Sequence, residues 1–231
     1  QRLTELQAGT IDGMDNPAPE DFDKISGDST LALKPREALN VMYIGMNNTV
    51  KPLDNEKVRQ AIALGIDRKR IVDNFYPAGS SVADYFTPCA IPLTCGGGKY
   101  PDFDAAKAKQ LLAEGLQESG FTGEWKPKIQ YRDVVRGYLP NPSGVAQDIQ
   151  AQLKANLGIN ATIDVQESGT YIDNSNAGKL DGLFLLGWGA DFPDQTNFMD
   201  YHFGLGTGKK FGTPYKDLVD VITKADQSAD A

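Results

Sequence analysis

Gly182-Leu183-Phe184-Leu185-Leu186-Gly187-Trp188-Gly189-Ala190-Asp191 is the stretch on which the fold reading turns. Five successive large apolar or aromatic-bearing positions, interrupted only by glycine, exceed what a half-exposed strand carries. The pattern belongs to a strand buried on both faces, as in a parallel or mixed sheet with helices on either side. The run ends in glycines, an indole and then a carboxylate. In open α/β sheets, the space just past such a strand end lines the ligand crevice.

Working outward, strands and helices alternate. Ile159, Ala161, Ile163 and Val165 mark a strand by strict alternation, and Lys128 to Tyr131 a shorter one. Residues 39–47 and 29–34 also read as strands. Val145, Ile149, Leu153 and Leu157 recur at four-residue steps and predict a helix over 142–157, closed by Gly158. Asp54 and Asp67 are expected to cap consecutive helices, the first with Val58, Ile62 and Ile66 inward. Asp104 caps another, with Ala108, Leu111, Leu112 and Leu116 inward. Further helices are expected over 170–177 and 215–225, and a short one begins after Asn16-Pro17-Ala18-Pro19. The fold class is therefore α/β, with a mixed central sheet flanked by helices.

The chain has 231 residues, enough to bury a sizeable core. Its net charge of −8 argues against a nucleic-acid partner, which needs a concentrated basic surface. No apolar run approaches the ~20 residues that span a bilayer. Gln1 to Glu5 shows no basic segment leading into an apolar one. Between Gly79 and Pro101 lies a long Gly-, Pro-, Ser- and Thr-rich loop. It holds both cysteines, Cys89 and Cys95, with five residues between them. A small-loop disulfide is the first reading in an oxidising compartment, with free thiols second. A metal site would need ligands that the single histidine, His202, is too distant in sequence to supply, so none is expected, nor any cofactor.

Trp188 and Asp191, with Gly189 and Ala190 between them, are the candidate ligand-binding residues. The functional reading is an aromatic surface beside an anion that holds a cationic group by charge-assisted hydrogen bonds. The alternative is structural, with Trp188 in the core and Asp191 capping the next helix or turn. Catalytic readings find little to stand on. Asp191 and Asp194 are three apart in one loop, whereas a glycosidase sets its acids across a sugar ring. There is no Gly-x-Ser-x-Gly around a nucleophile, and Gly204-Leu205-Gly206-Thr207-Gly208-Lys209-Lys210 lacks the spacing of a phosphate loop. Arg59 and Arg68 read as structural, Arg59 in an ion pair fixing its helix.

Five blocks in order resemble one family. They are Leu6 to Asp12; Asn47 with Pro52 to Ile62 and Ile66-Asp67-Arg68; Tyr100-Pro101-Asp102 with Ala105 to Leu112; Ile149 to Lys154 with Leu157-Gly158-Ile159; and Gly187 to Asp191. The chain resembles the peptide and nickel (dipeptide- and oligopeptide-binding) class of extracytoplasmic solute-binding proteins of ABC importers. The resemblance implies a two-lobed fold of the type II periplasmic-binding-protein kind that closes around its solute. Residues 1–231 would form one lobe, the later one, with 1–15 near the hinge and the other lobe lying outside this sequence. It further implies a peptide or other small solute, an ABC permease as partner and no enzymatic activity. The implied location is periplasmic or extracellular, with a membrane anchor in a preceding segment. In peptide-binding relatives the aspartate of the Gly-Trp-x-x-Asp element pairs with the peptide α-amino group, which by position is Asp191. Two further readings stand beside this one: a lobe for an oligosaccharide or other solute, and a structural or interaction module without ligand.

Overall fold

A computed structural model describes residues 1–35, 39–206 and 208–228. In chain order the helices are α1 (Arg2–Gln7), α2 (Phe22–Ser26), α3 (Glu56–Gly65), α4 (Arg68–Phe75), α5 (Ala105–Glu118), α6 (Pro142–Gln152), α7 (Ser168–Asn176), α8 (Thr196–Phe203) and α9 (Lys216–Asp226). The strands are β1 (Asn40–Met46), β2 (Lys128–Arg132), β3 (Thr162–Gln166) and β4 (Leu183–Gly189).

The sheet order is β1-β4-β2-β3. β4 runs antiparallel to β1, with Asn40 opposite Gly189 and Met46 opposite Leu183, and parallel to β2, which is parallel to β3. The apolar run thus forms an interior strand, and its side chains alternate between two cores. Leu183 and Leu185 face the large cluster built with Val58, Ile62, Leu112, Ile149 and Leu153 from α3, α5 and α6. Phe184 and Leu186 face the opposite side, against Tyr171 of α7 and Leu180. Tyr171 is fully buried, and its hydroxyl donates toward the carbonyls of Gln130 and Leu185, joining helix to sheet. The expected mixed sheet with helices on both faces is what the chain forms.

Local chemistry sets most boundaries. Asp67 accepts from Arg70 N at 3.0 Å and Asp104 from Lys107 N at 2.9 Å, each capping its helix as expected. Asp54 does not: it still belongs to the turn closed by its N–H to Val50 O, and Asn55, the residue directly before Glu56, caps α3 through Lys57 N at 2.8 Å. α7 begins at Ser168, earlier than expected, because Glu167 accepts from Gly169 N and Thr170 N. Helix α6 loosens into a π-helical turn over Leu153–Leu157, and Gly158 ends it at φ 71°. The β3 ladder starts only at Thr162, since Ile159 N is bonded back to Leu153 O.

Residues 29–34 form no strand. Asp28 accepts from Thr30 N and Oγ1, which makes a turn there, and the following residues pair with no strand. The loop over 79–101 is held instead by side chains. Arg68 donates to the carbonyls of Ala83 at 2.8 Å and Pro101 at 2.7 Å and lies over the Tyr100 ring. Cys89 and Cys95 are joined by a disulfide, with Cα atoms 5.3 Å apart, and the loop between them buries Ile91. Among the described residues Arg59 makes no ion pair; it donates to the carbonyls of Leu53 and Asp54 and to the Tyr215 hydroxyl. Among the described residues no helix is long and apolar enough to cross a membrane.

Candidate functional site

β4 delivers Trp188 and Gly189 to its C-terminal end, and the chain turns there through Ala190 and Asp191. The Ala190 N–H donates to Leu39 O at 2.7 Å, just before β1 begins. The Asp191 N–H donates to Asn197 Oδ1 at 3.0 Å, and the same oxygen accepts from Trp188 Nε1 at 2.9 Å. The Asp191 side chain is exposed and, among the described residues, makes no hydrogen bond or ion pair. It caps nothing: Asp194 serves the turn into α8, accepting from Thr196 N and Oγ1.

Trp188 is half-buried and belongs to a cluster with Val41, Ile91, Phe198 and Phe86. One indole face stacks on Tyr201, with centroids 4.1 Å apart and planes at 22°. His202 meets the indole edge-on at 5.3 Å. The side chain is therefore a fixed wall of the corner rather than an open stacking platform. Asn197, Tyr201 and His202 had drawn no ligand-site reading from the sequence. The available signal was the stretch Asp194-Gln195-Thr196-Asn197, a helix start three residues beyond the candidate acid.

His202 is 4% exposed and ringed by Tyr43, Phe86, Trp188, Tyr201 and Phe203. Its Nδ1 lies 2.7 Å from Phe198 O, which requires a donor there, and Nε2 is buried with no partner among the described residues. Burial pulls its pKa down to about 4, the Phe198 carbonyl opposing and Lys210 adding slightly to the fall. This histidine is neutral at pH 7 and serves packing. The unfolded chain takes up its proton near pH 6.5, whereas the folded chain resists until about pH 4. Stability is therefore expected to fall between those values as pH is lowered, by up to about 1.4 kcal/mol per pH unit. Urea unfolding of His202→Phe should lack that part of the slope; an unchanged slope would refute the assignment.

A concavity of about 2850 Å³ lies beside this corner. Val41, Tyr43, Arg59, Tyr76, Phe86 and His202 contribute to its walls. It exceeds the ~300–1,000 Å³ of ordinary ligand pockets. Trp188, Gly189, Ala190 and Asp191 do not line it, but their cross-strand neighbours Asn40 and Val41 do, so the corner stands at its rim. The glycine-rich segment after α8 curls into a short turn over Lys209–Phe211, and its Thr207 lies outside the described residues.

The profile of the bacterial extracellular solute-binding proteins, family 5, middle portion, matches residues 1–210. The chain belongs to this family. Heme-binding protein A of Haemophilus influenzae is 35% identical over 201 residues, which cover 86% of this chain and 35% of that protein. The dipeptide-binding protein of Escherichia coli (strain K12) is 30% identical over 227 residues, 94% of this chain and 41% of that one. Among solved structures, the dipeptide binding protein from Pseudoalteromonas sp. SM9913 in complex with Met-Leu has a TM-score of 0.81 and 26% identity, covering 99% of this chain and 45% of that chain. The family 5 chain described here thus spans less than half the length of each of these relatives. Its fold is that of periplasmic binding proteins.

Proposed function

We propose that this chain is one lobe of a protein that captures peptides for ATP-driven import, and that Asp191 docks the α-amino group of the peptide. The observation that carries the reading is the Asp191 carboxylate itself: exposed, without a partner among the described residues, and fixed at its backbone just past the end of the interior strand. A carboxylate held in this way meets an ammonium without first breaking a protein ion pair, and desolvation on closure strengthens the contact. It fixes one end of every peptide whatever the side chains. The concavity beside it is larger than a small solute alone would fill, and hinge closure of a second lobe would cover the solute. Residues 1–15 lie near that hinge in this reading. An ABC permease would receive the solute, and a segment outside this sequence would hold the protein at the membrane. The work is binding and release, with no covalent step.

The names of the relatives support peptides, and the Met-Leu complex of a structural neighbour agrees. An oligosaccharide is less well served, because Tyr201 already occupies one face of the indole a sugar would use. The test is calorimetric titration of the whole protein with a dipeptide and with its N-acetylated form. Acetylation, or Asp191→Asn with the free peptide, is expected to weaken binding about 10- to 100-fold, the worth of a charge-assisted hydrogen bond. Equal affinity for both peptide forms rules the amine dock out. Tighter binding of hemin than of any dipeptide would favour the chemistry named for the Haemophilus influenzae relative.

A further inference from the structure

We propose that Asn197 is the positioning residue of this corner, setting the direction of Asp191 and the tilt of Trp188 through a single oxygen; the proposal rests on the amine-docking reading above. Residues 197, 198, 201 and 202 fall on one side of α8, as spacings of one, four and five residues require. All four meet the Trp188 surroundings: Asn197 by hydrogen bond, Phe198 in the shared apolar cluster, Tyr201 by stacking and His202 by its ring edge. Only Asn197 also reaches Asp191.

Asn197 is 8% exposed, so its Oδ1 is an acceptor placed where water is scarce. It takes two N–H groups, the Trp188 indole at 2.9 Å and the Asp191 backbone at 3.0 Å. An apolar residue there would leave both donors unsatisfied. Nothing else fixes Asp191, since its carboxylate has no partner among the described residues. Gly189 adds to the need for a tether: the space around its Cα is open, with only Asn40 Cβ at 3.8 Å from where a side chain would begin. The turn after β4 is therefore held by hydrogen bonds, from Ala190 to Leu39 and from Asp191 to Asn197, and the second of these orients the acid.

Two variants of the full-length protein separate this role from general support of the fold. Asn197→Leu keeps the volume and removes the acceptor; Asn197→Asp keeps an acceptor in the same place. Asn197→Leu is expected to lose about tenfold or more in affinity for a free dipeptide, to leave the affinity for its N-acetylated form unchanged, and to shift the Trp188 indole N–H resonance. Asn197→Asp should restore both the affinity and the resonance. Wild-type dipeptide affinity in Asn197→Leu, or equal loss for the free and acetylated peptides, overturns the proposal. If Asp191→Asn weakens binding while Asn197→Leu does not, the dock stands and the positioning role falls. If Asp191→Asn has no effect while Asn197→Leu still shifts the indole resonance, the dock falls and the tether stands.

Discussion

Gly45→Ala is expected to cost this fold about 3 kcal/mol or more, at the upper end of what overpacking does. Gly45 stands directly opposite Phe184 in the β1–β4 pairing. A Cβ on Gly45 would clash with Cε2 and Cζ of the Phe184 ring. That ring has nowhere to retreat: it is fully buried, and Phe211 stacks against it at 5.9 Å. The glycine is thus the socket into which an aromatic side chain of the neighbouring strand lies down. The proof is reciprocal. Phe184→Leu alone should destabilise, but added to Gly45→Ala it should restore part of the loss, since the smaller side chain makes room. Urea midpoints for the two single variants and the double variant give the coupling. Strictly additive costs would mean that the two residues do not share the space.

Arg70→Met is the second large loss, expected at about 3 kcal/mol. Asp148 in α6 has a side chain only 7% exposed, and the Arg70 guanidinium reaches its Oδ1 at 2.7 and 2.9 Å. Gln152 donates to the other oxygen at 2.6 Å and also bonds Asp67 at the start of α4. Without Arg70 a buried carboxylate keeps a neutral donor and loses its cation. The reverse substitution behaves differently. Arg70 is 54% exposed, so Asp148→Asn leaves a guanidinium that water solvates. That change should cost about 1 kcal/mol or less. Equal costs for both variants would show that burial of the charge is not what decides.

The strands and helices that the sequence disclosed are those whose signal is carried by their own residues. The run from Leu183 to Trp188 could be read because an interior strand needs apolar groups on both faces, and Val145 to Leu157 because every fourth position faces the core. Asp67 and Asp104 are caps that act within three residues. What escaped depends on partners distant along the chain. Residues 29–34 carry strand-like residues but have no strand beside them, and Asp28 draws the chain into a turn. Asn55 displaced Asp54 because the preceding turn runs through Asp54 and the helix begins one residue later than its acid suggests. At the site, Trp188 and Asp191 stood out as residue types beyond a strand end. The side chains that immobilise them come from α8, whose sequence Thr-Asn-Phe-Met-Asp-Tyr-His-Phe shows no plain apolar period. Asn197 acts backward across a turn, which no local pattern records.

The Ala190–Leu39 hydrogen bond has a mechanical meaning. It ties the far end of the interior strand to Leu39, the residue just before β1, so the end of one strand and the start of its neighbour share an anchor. If a peptide docks at the corner as proposed, it steadies Leu39 together with the end of β4, and by thermodynamic reciprocity whatever already steadies Leu39 raises affinity for the peptide.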